Sequence, residues 1–286
     1  TLAPMIGGLD ACLQNTRSPT SPYFPPTCTG PEGSAAALVE ATLKSLGPVQ
    51  SPDLDLGYTL KAPLLDFLRP EGSDWRIDAA AIRRLVNTFR DVPQPVVMYL
   101  FSNHFESKVP IEKVLASNPA NMAVTAKGTL PVDLYYDTNL FPWSVADTTN
   151  DISHRRQQVI EAIATELCLQ PAAVRERILG ITLLGEVHQH FPHFQTGMGF
   201  AGPYDVSDYS AKSRQGFRQY LAQQFGSVNQ LNSHLGSQFP SWETVEPPDR
   251  DIRSQPLEHY WQHIDAFAHG TLPVSGWVAP SPTPSL

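Results

Sequence analysis

The sequence predicts an α/β fold of the (β/α)8 TIM-barrel type, with five strand–helix units in this chain behind an irregular N-terminal arm. Three observations lead there. Strand-like apolar runs alternate with amphipathic helical patterns after residue 52. One of those runs, PVVMYLF at Pro95–Phe101, is apolar without alternation, as in strands covered on both faces. The length of 286 residues suits one large domain of this kind. Strand, helix, strand implies parallel pairing, because each parallel pair needs a long crossover.

The elements follow in order. Residues 1–52 read as the arm, with one helix over Ser34–Leu46, and residues 53–286 as the barrel domain, incomplete at its C-terminus. Gly57–Leu65 reads as the first strand. Asp78–Arg90 is a helix with Asp78 as N-cap and Ala81, Ile82, Leu85, Val86 and Phe89 on one face. Pro95–Phe101 is the second strand and Leu130–Tyr136 (LPVDLYY) the third. Ser153–Leu167 is an amphipathic helix capped by Ser153, with Val159, Ile160, Ile163, Ala164 and Leu167 inward. A short helix at Pro171–Ile178 carries Pro in its first turn. Ile181–Leu184 is the fourth strand. Helices at Ser210–Phe225, Val228–Leu235 and around Leu257–Ala268 precede a fifth strand, Thr271–Val278. Five strands leave two alternatives: the others lie outside this chain, or the sheet is open.

Charge and composition narrow the partners. The chain is 41% hydrophobic and 17% charged, and carries a net charge of −8. Without a Lys/Arg run, it offers no footprint for nucleic acid or an anionic membrane. Its apolar runs are too short to span a bilayer. The 27 prolines gather at the two ends and in the connections, where they stiffen loops and spare the elements. Thr1 and the lack of an initiator methionine read as the start of a processed or trimmed chain. Cys12 and Cys28 bracket a Pro/Ser/Thr-rich stretch. A disulfide between them would close a loop of about 15 residues, contributing on the order of 3 kcal/mol, and would imply a secreted or periplasmic location. Cys168 sits in a helical apolar pattern and reads as a buried free thiol.

Chemistry in a parallel barrel gathers where strands end. Those ends are Asp66, then Ser102–Glu106 with Asn103 and His104, then Asp137–Asn139 shortly before Trp143, then Gly185–Glu186, and finally Trp277. Carboxylates, amides, a histidine and tryptophans suit a sugar, whose ring faces stack on aromatics while its hydroxyls take hydrogen bonds. Glu186 leaves an apolar strand, and partial desolvation raises a carboxyl pKa enough to keep a proton for a glycosidic oxygen. On its own it reads equally as a structural ion pair or a solvated loop residue. His188, His190 and His193 form an H-x-H-x-x-H set that could ligate zinc. No nearby carboxylate completes a metal-hydrolase site, so the histidines are assigned to the cleft lining, with no metal and no cofactor.

Downstream, Phe217-Arg218-Gln219-Tyr220-Leu221, Phe225-Gly226-Ser227-Val228, Leu231-Asn232, Leu235–Phe239 and Ser241-Trp242 form a pattern over about forty residues. It resembles the stretch that follows the acid/base glutamate in the family 42 β-galactosidases and related retaining barrel glycosidases. The resemblance implies an acid/base at the end of the fourth strand, which falls on Glu186, and a nucleophilic carboxylate at the end of the seventh. It also implies Asn before the acid/base, where this chain has Gly185, and no residue here matches the nucleophile.

The expected function is therefore a glycoside hydrolase acting on an oligo- or polysaccharide by a retaining two-carboxylate mechanism. Glu186 is the acid/base, and Asn103, His104, Asp137, Asn139, Trp143, His188 and Trp277 contact the carbohydrate. The nucleophile would come from beyond Leu286 or from a separate piece. Two alternatives stand beside it: an inactive barrel-derived carbohydrate-binding protein, and a metal-dependent hydrolase or deacetylase using His188, His190 and His193.

Overall fold

In the computed structural model, the described residues are 1–7, 12–13, 34–48, 51–101, 111–129, 132–135, 138–144, 147–185 and 209–247. They divide between two compact units. The first falls within Thr1–Asn103, Ser107–Glu112 and Arg155–Val187, the second within His104–Glu106, Lys113–His154 and His188–Leu286.

The first unit is built on a parallel sheet. Strand β1 (Tyr58–Pro63) pairs with β4 (Val96–Phe101), and β4 pairs with β9 (Ile178–Gly185), all parallel. Val96, Met98 and Leu100 are buried on one face of β4, while Val97 and Tyr99 on the other are half-buried. The continuous apolar run thus serves a central strand, covered fully on one side and partly on the other. Between β1 and the first helix, a 3-10 turn at Leu64–Phe67 leads into a hairpin of β2 (Leu68–Glu71) and β3 (Asp74–Ile77).

Part of the N-terminal arm belongs to this sheet, against the irregular course read from the sequence. Leu2 and Met5 form parallel bridges to Leu56 and Thr59. The Leu2 and Gly57 amides donate to the Asp55 and Leu2 carbonyls at 2.8 Å each, and the Thr59 amide donates to Pro4 at 2.8 Å. Among the described residues the parallel segments therefore run residues 2–6, β1, β4, β9, with spatial order equal to chain order. A doubly wound sheet reverses direction at a switch point; the described strands show no reversal. Gly57 sits where a Cβ would come within 2.5 Å of the Pro95 carbonyl oxygen, so the entries to β1 and β4 approach too closely for any larger residue.

Two helices of this unit follow the sequence pattern closely, and a third is shorter than the Pro171–Ile178 expected, because Ile178 already belongs to β9. Helix α1 (Ala36–Leu46) buries Val39 and Leu43. In α2 (Ala79–Asp91), the Asp78 carboxylate accepts from the Ala81 amide at 3.0 Å as N-cap. Ala81, Ile82, Leu85, Val86 and Phe89 are all buried as the helical spacing predicts. Burial of each larger one contributes about 1.5–3 kcal/mol, an upper estimate. The short α5 (Ala172–Arg175), preceded by Pro171, leads into β9.

Helix α4 (Asp151–Cys168) corrects two details. Its cap is Asn150, whose side-chain oxygen accepts from the Ser153 amide at 2.9 Å, while the Ser153 hydroxyl donates to the Asp147 carbonyl. Val159, Ile163 and Leu167 are buried, but Ala164 and Cys168 are exposed. Cys168 is a free thiol on the open side, since it follows Leu167 by one residue and so points about 100° away from the apolar stripe.

The second unit holds the segment expected to supply the third barrel strand. Strand β7 (Asp133–Tyr135) instead pairs antiparallel with β8 (Thr138–Leu140) in a hairpin. An apolar run of that length fits either pairing, and the next residues fold straight back on it. A second small hairpin joins β5 (Val124–Thr125) to β6 (Gly128–Thr129), after the short helix α3 (Ile111–Ala116) and a 3-10 turn at Pro119–Asn121. Asn121, fully buried, bonds the Leu115 carbonyl and the Ile152 amide, tying three stretches of chain together.

Helices α6 (Ala211–Phe225) and α7 (Val228–Leu235) match the sequence reading in extent and caps. Ser210 and Ser227 accept from the amides three residues on, and both helices end on glycines of positive φ, Gly226 at 69° and Gly236 at 67°. Phe217, Leu221, Leu231, Leu235 and Val245 form their core, with Tyr220, Phe225, Phe239 and Trp242 packed around it. The helix around Leu257–Ala268 and the strand Thr271–Val278 lie outside the described residues.

Candidate functional site

The C-terminal ends of β1, β4 and β9 lie side by side in the first unit, because the three strands are parallel and in near register: Pro63 is opposite Phe101, and Phe101 opposite Gly185. Glu186 is the next residue of the chain after Gly185. It lies outside the described residues, as do Asn103, His104, Asp137, His188, His190, His193, Trp277 and Cys28. Cys12, the proposed partner of Cys28, is buried.

The half-covered face of this sheet carries the polar and aromatic groups nearest those ends. The Lys61 ammonium lies 4.1 Å from the centroid of the Phe101 ring, and Phe101 stacks on Tyr99 at 6.3 Å between centroids. Lys61 and Tyr99 are register partners on adjacent strands, and Thr182 of β9 stands opposite Tyr99. A cation over an aromatic face contributes about 0.5–1 kcal/mol when partly exposed and fixes the ring's orientation.

Asp66, Glu112 and Arg156 are charged residues that the fold has buried. Asp66 lies in the turn that follows β1 and is 6% exposed. Beside it in sequence, the Arg69 guanidinium donates to the Asp66 carbonyl at 2.8 Å and pairs with Asp78 at 3.1 Å. Glu112, on the helix that follows β4, is 1% exposed. Arg156, near the start of α4, is 5% exposed, and burial pulls its pKa down to about 9, still charged at neutral pH. The sequence reading noted Asp66 as a strand end but passed over Glu112 and Arg156. Both sit at helix positions where charge is ordinarily solvated, and their burial is decided by the fold around them.

Two candidates can be placed in the second unit. Asn139, on β8, is half-buried. Trp143 is fully buried, bridged to Met122 and stacked on Phe141 at 5.0 Å between centroids. Its indole packs the core of that unit, and neither ring face is open to a sugar. Among the described residues, no group of three His, Cys, Asp or Glu side chains is arranged to hold a metal ion. No described helix is long and apolar enough to cross a membrane.

The described fold is mixed α/β, organised on a parallel sheet with helices. Compared with known proteins, the chain matches no family model, and no curated protein matches it.

Proposed function

We propose that this chain is a carbohydrate-active hydrolase of the retaining barrel type, exported from the cytoplasm, with Glu186 as general acid/base. The observation that carries this reading is the order of the parallel segments. Among the described residues, and counting the bridged segment 2–6, β9 is the fourth parallel segment, and Glu186 follows its last residue directly in sequence. In a singly wound sheet the chemistry gathers at that end of the strands, and the segment after it, with its two serine-capped helices, carries the pattern that resembles family 42 β-galactosidases. In this reading Glu186 gives its proton to the glycosidic oxygen and takes one from water in the second step. Asn103, His104, Asp137 and Asn139 bind hydroxyls. The resemblance puts the second carboxylate at the end of a seventh strand, and no described residue matches it. Asp66 and Glu112 are the buried carboxylic acids among the described residues, and neither stands where the resemblance puts a nucleophile.

A second reading is a carbohydrate-binding protein without catalysis. It is favoured by Gly185 in the place of the asparagine that would hold the sugar's 2-hydroxyl. One experiment separates the two. Chromogenic aryl glycosides are incubated with the parent protein and with Glu186→Gln, and sugar binding is measured on both by calorimetry. The catalytic reading expects hydrolysis to fall by about 10²–10⁴-fold with binding kept. Binding without hydrolysis by the parent selects the second reading. Hydrolysis equal in both proteins sinks the role given to Glu186.

A further inference from the structure

At the end of the sheet opposite Gly185, where the chain enters β1 and β4, the first unit has a recess of about 450 Å³. That volume is within the range of small-molecule sites. Its apolar walls come from Leu43 on the last turns of α1, Pro48 just past that helix, and Leu56 before β1. Gly47, at φ 79°, turns the chain out of α1 and brings Pro48 to the opening. The wall before β4 is Gln94. Its side-chain oxygen is buried and has no hydrogen-bond partner among the described residues.

The groups around the recess restrict what would fill it. Glu40 and Lys44 lie one turn apart on the exposed side of α1, so their opposite charges leave the rim without a preferred sign of ligand. No aromatic ring among the described residues lines the walls, so they offer no platform for a sugar. The amide of Gln94 is a hydrogen-bonding group that burial makes costly to leave unpaired. The unpartnered atom is the amide oxygen, so it calls for a donor, which a hydroxyl supplies and an ether does not.

We propose that the recess between α1 and the entries to β1 and β4 is a binding site for a neutral, largely aliphatic alcohol whose hydroxyl bonds Gln94. The site stands at the other end of the strands from Gly185, so it does not depend on the catalytic reading and survives its failure.

The test uses the full chain, isotope-labelled, titrated with 1-octanol and in parallel with 1-methoxyoctane, an ether of similar alkyl length without the O–H donor. Octanol is expected to shift the amide resonances of Gly47 and Leu56, and the ether to bind about tenfold more weakly, the worth of one hydrogen bond. Gln94→Leu should abolish the difference between the two ligands with the fold unchanged by circular dichroism. Sodium octanoate binding as well as octanol would overturn the neutral-ligand assignment. No shift at Gly47 and Leu56 overturns the site itself, and equal binding of alcohol and ether to the parent protein overturns the hydroxyl's bond to Gln94. That last comparison needs no variant to fold.

Discussion

The guanidinium of Arg84, on α2, donates its Nε hydrogen to the backbone carbonyl of Leu13 at 2.6 Å, across 71 positions of sequence. Both residues are buried, Arg84 at 5% and Leu13 at 1% exposure. A charged group is thus spent on holding part of the N-terminal arm against the first unit, alongside the bond from the Ala35 amide to the Thr88 hydroxyl at 2.9 Å. Replacing Arg84 by Met keeps most of the packing stem and removes the donor. It is expected to lower stability by about 1–3 kcal/mol in urea unfolding. A midpoint unchanged from the parent would contradict the role assigned to this bond.

The buried phenol of Tyr58 gives a pH signature. Burial raises its pKa well above the ordinary value, against a smaller lowering by Arg177, and its hydroxyl has no hydrogen-bond partner among the described residues. In the unfolded chain the phenol ionises near about 10, while in the fold it stays protonated. Its contribution is therefore intact below that value, and stability falls as pH rises past it. Tyr58→Phe removes both the orphan hydroxyl and the alkaline loss. Thermal unfolding between pH 8 and 11 should show a gain of about 1 kcal/mol at the neutral end, from the unpaired group removed, and a flatter slope above pH 10.

In the second unit, Asn232 holds the turn after α7. Its amide nitrogen donates to the Phe239 carbonyl at 2.8 Å, and its oxygen accepts from the Phe239 amide at 2.8 Å and the Ser237 hydroxyl at 2.9 Å. Asn232→Ala leaves both backbone groups of Phe239 without this partner and is expected to cost about 2 kcal/mol. The exposed Gln230, two residues earlier, serves as the control, with Gln230→Ala within about 0.5 kcal/mol of the parent. If the two variants unfold alike, the turn is not held by Asn232.

The thiols can be counted chemically. Cys168 is free and exposed, and should react with a thiol reagent in the native protein without denaturant. If Cys12 and Cys28 are bridged, the denatured, unreduced chain still shows one thiol, and reduction raises the count to three. Three thiols before reduction would remove the bridge and the main argument for export.

Which parts of the molecule the sequence disclosed follows from what local pattern can encode. The apolar face of α2, its Asp78 cap, the central strand β4 and the serine-capped pair α6 and α7 all repeat at a period of 3.6, or run unbroken, within a dozen residues. Residues 2–6 could not be read this way. TLAPMI is short and broken by Pro4, and it becomes strand-like only because β1 presents an edge for Leu2, Pro4 and Ile6 to bond. The same limit misplaced LPVDLYY, since local pattern does not choose between a parallel neighbour and a hairpin return. Two departures thus offset each other: a bridged segment missed at residues 2–6 and a hairpin strand read as parallel leave Ile178–Gly185 fourth among the described parallel segments. Of the site, the strand end before Glu186 was legible. The burial of Glu112, Arg156 and Trp143 was not, because it depends on what packs over them.

Strand β9 carries one more consequence. It is eight residues long, without charge or proline, and Leu179, Ile181 and Leu183 on one side of it are 53%, 50% and 70% exposed. Among the described residues no strand pairs with the outer edge of β9; natural sheets protect such borders with lysine, proline or brevity, and β9 has none of these three. For whoever purifies the chain, shelf life would then hang on that border, and concentration would be its enemy. Leu183→Lys places a gatekeeper charge there. Light scattering of concentrated samples should show the variant staying monodisperse longer than the parent.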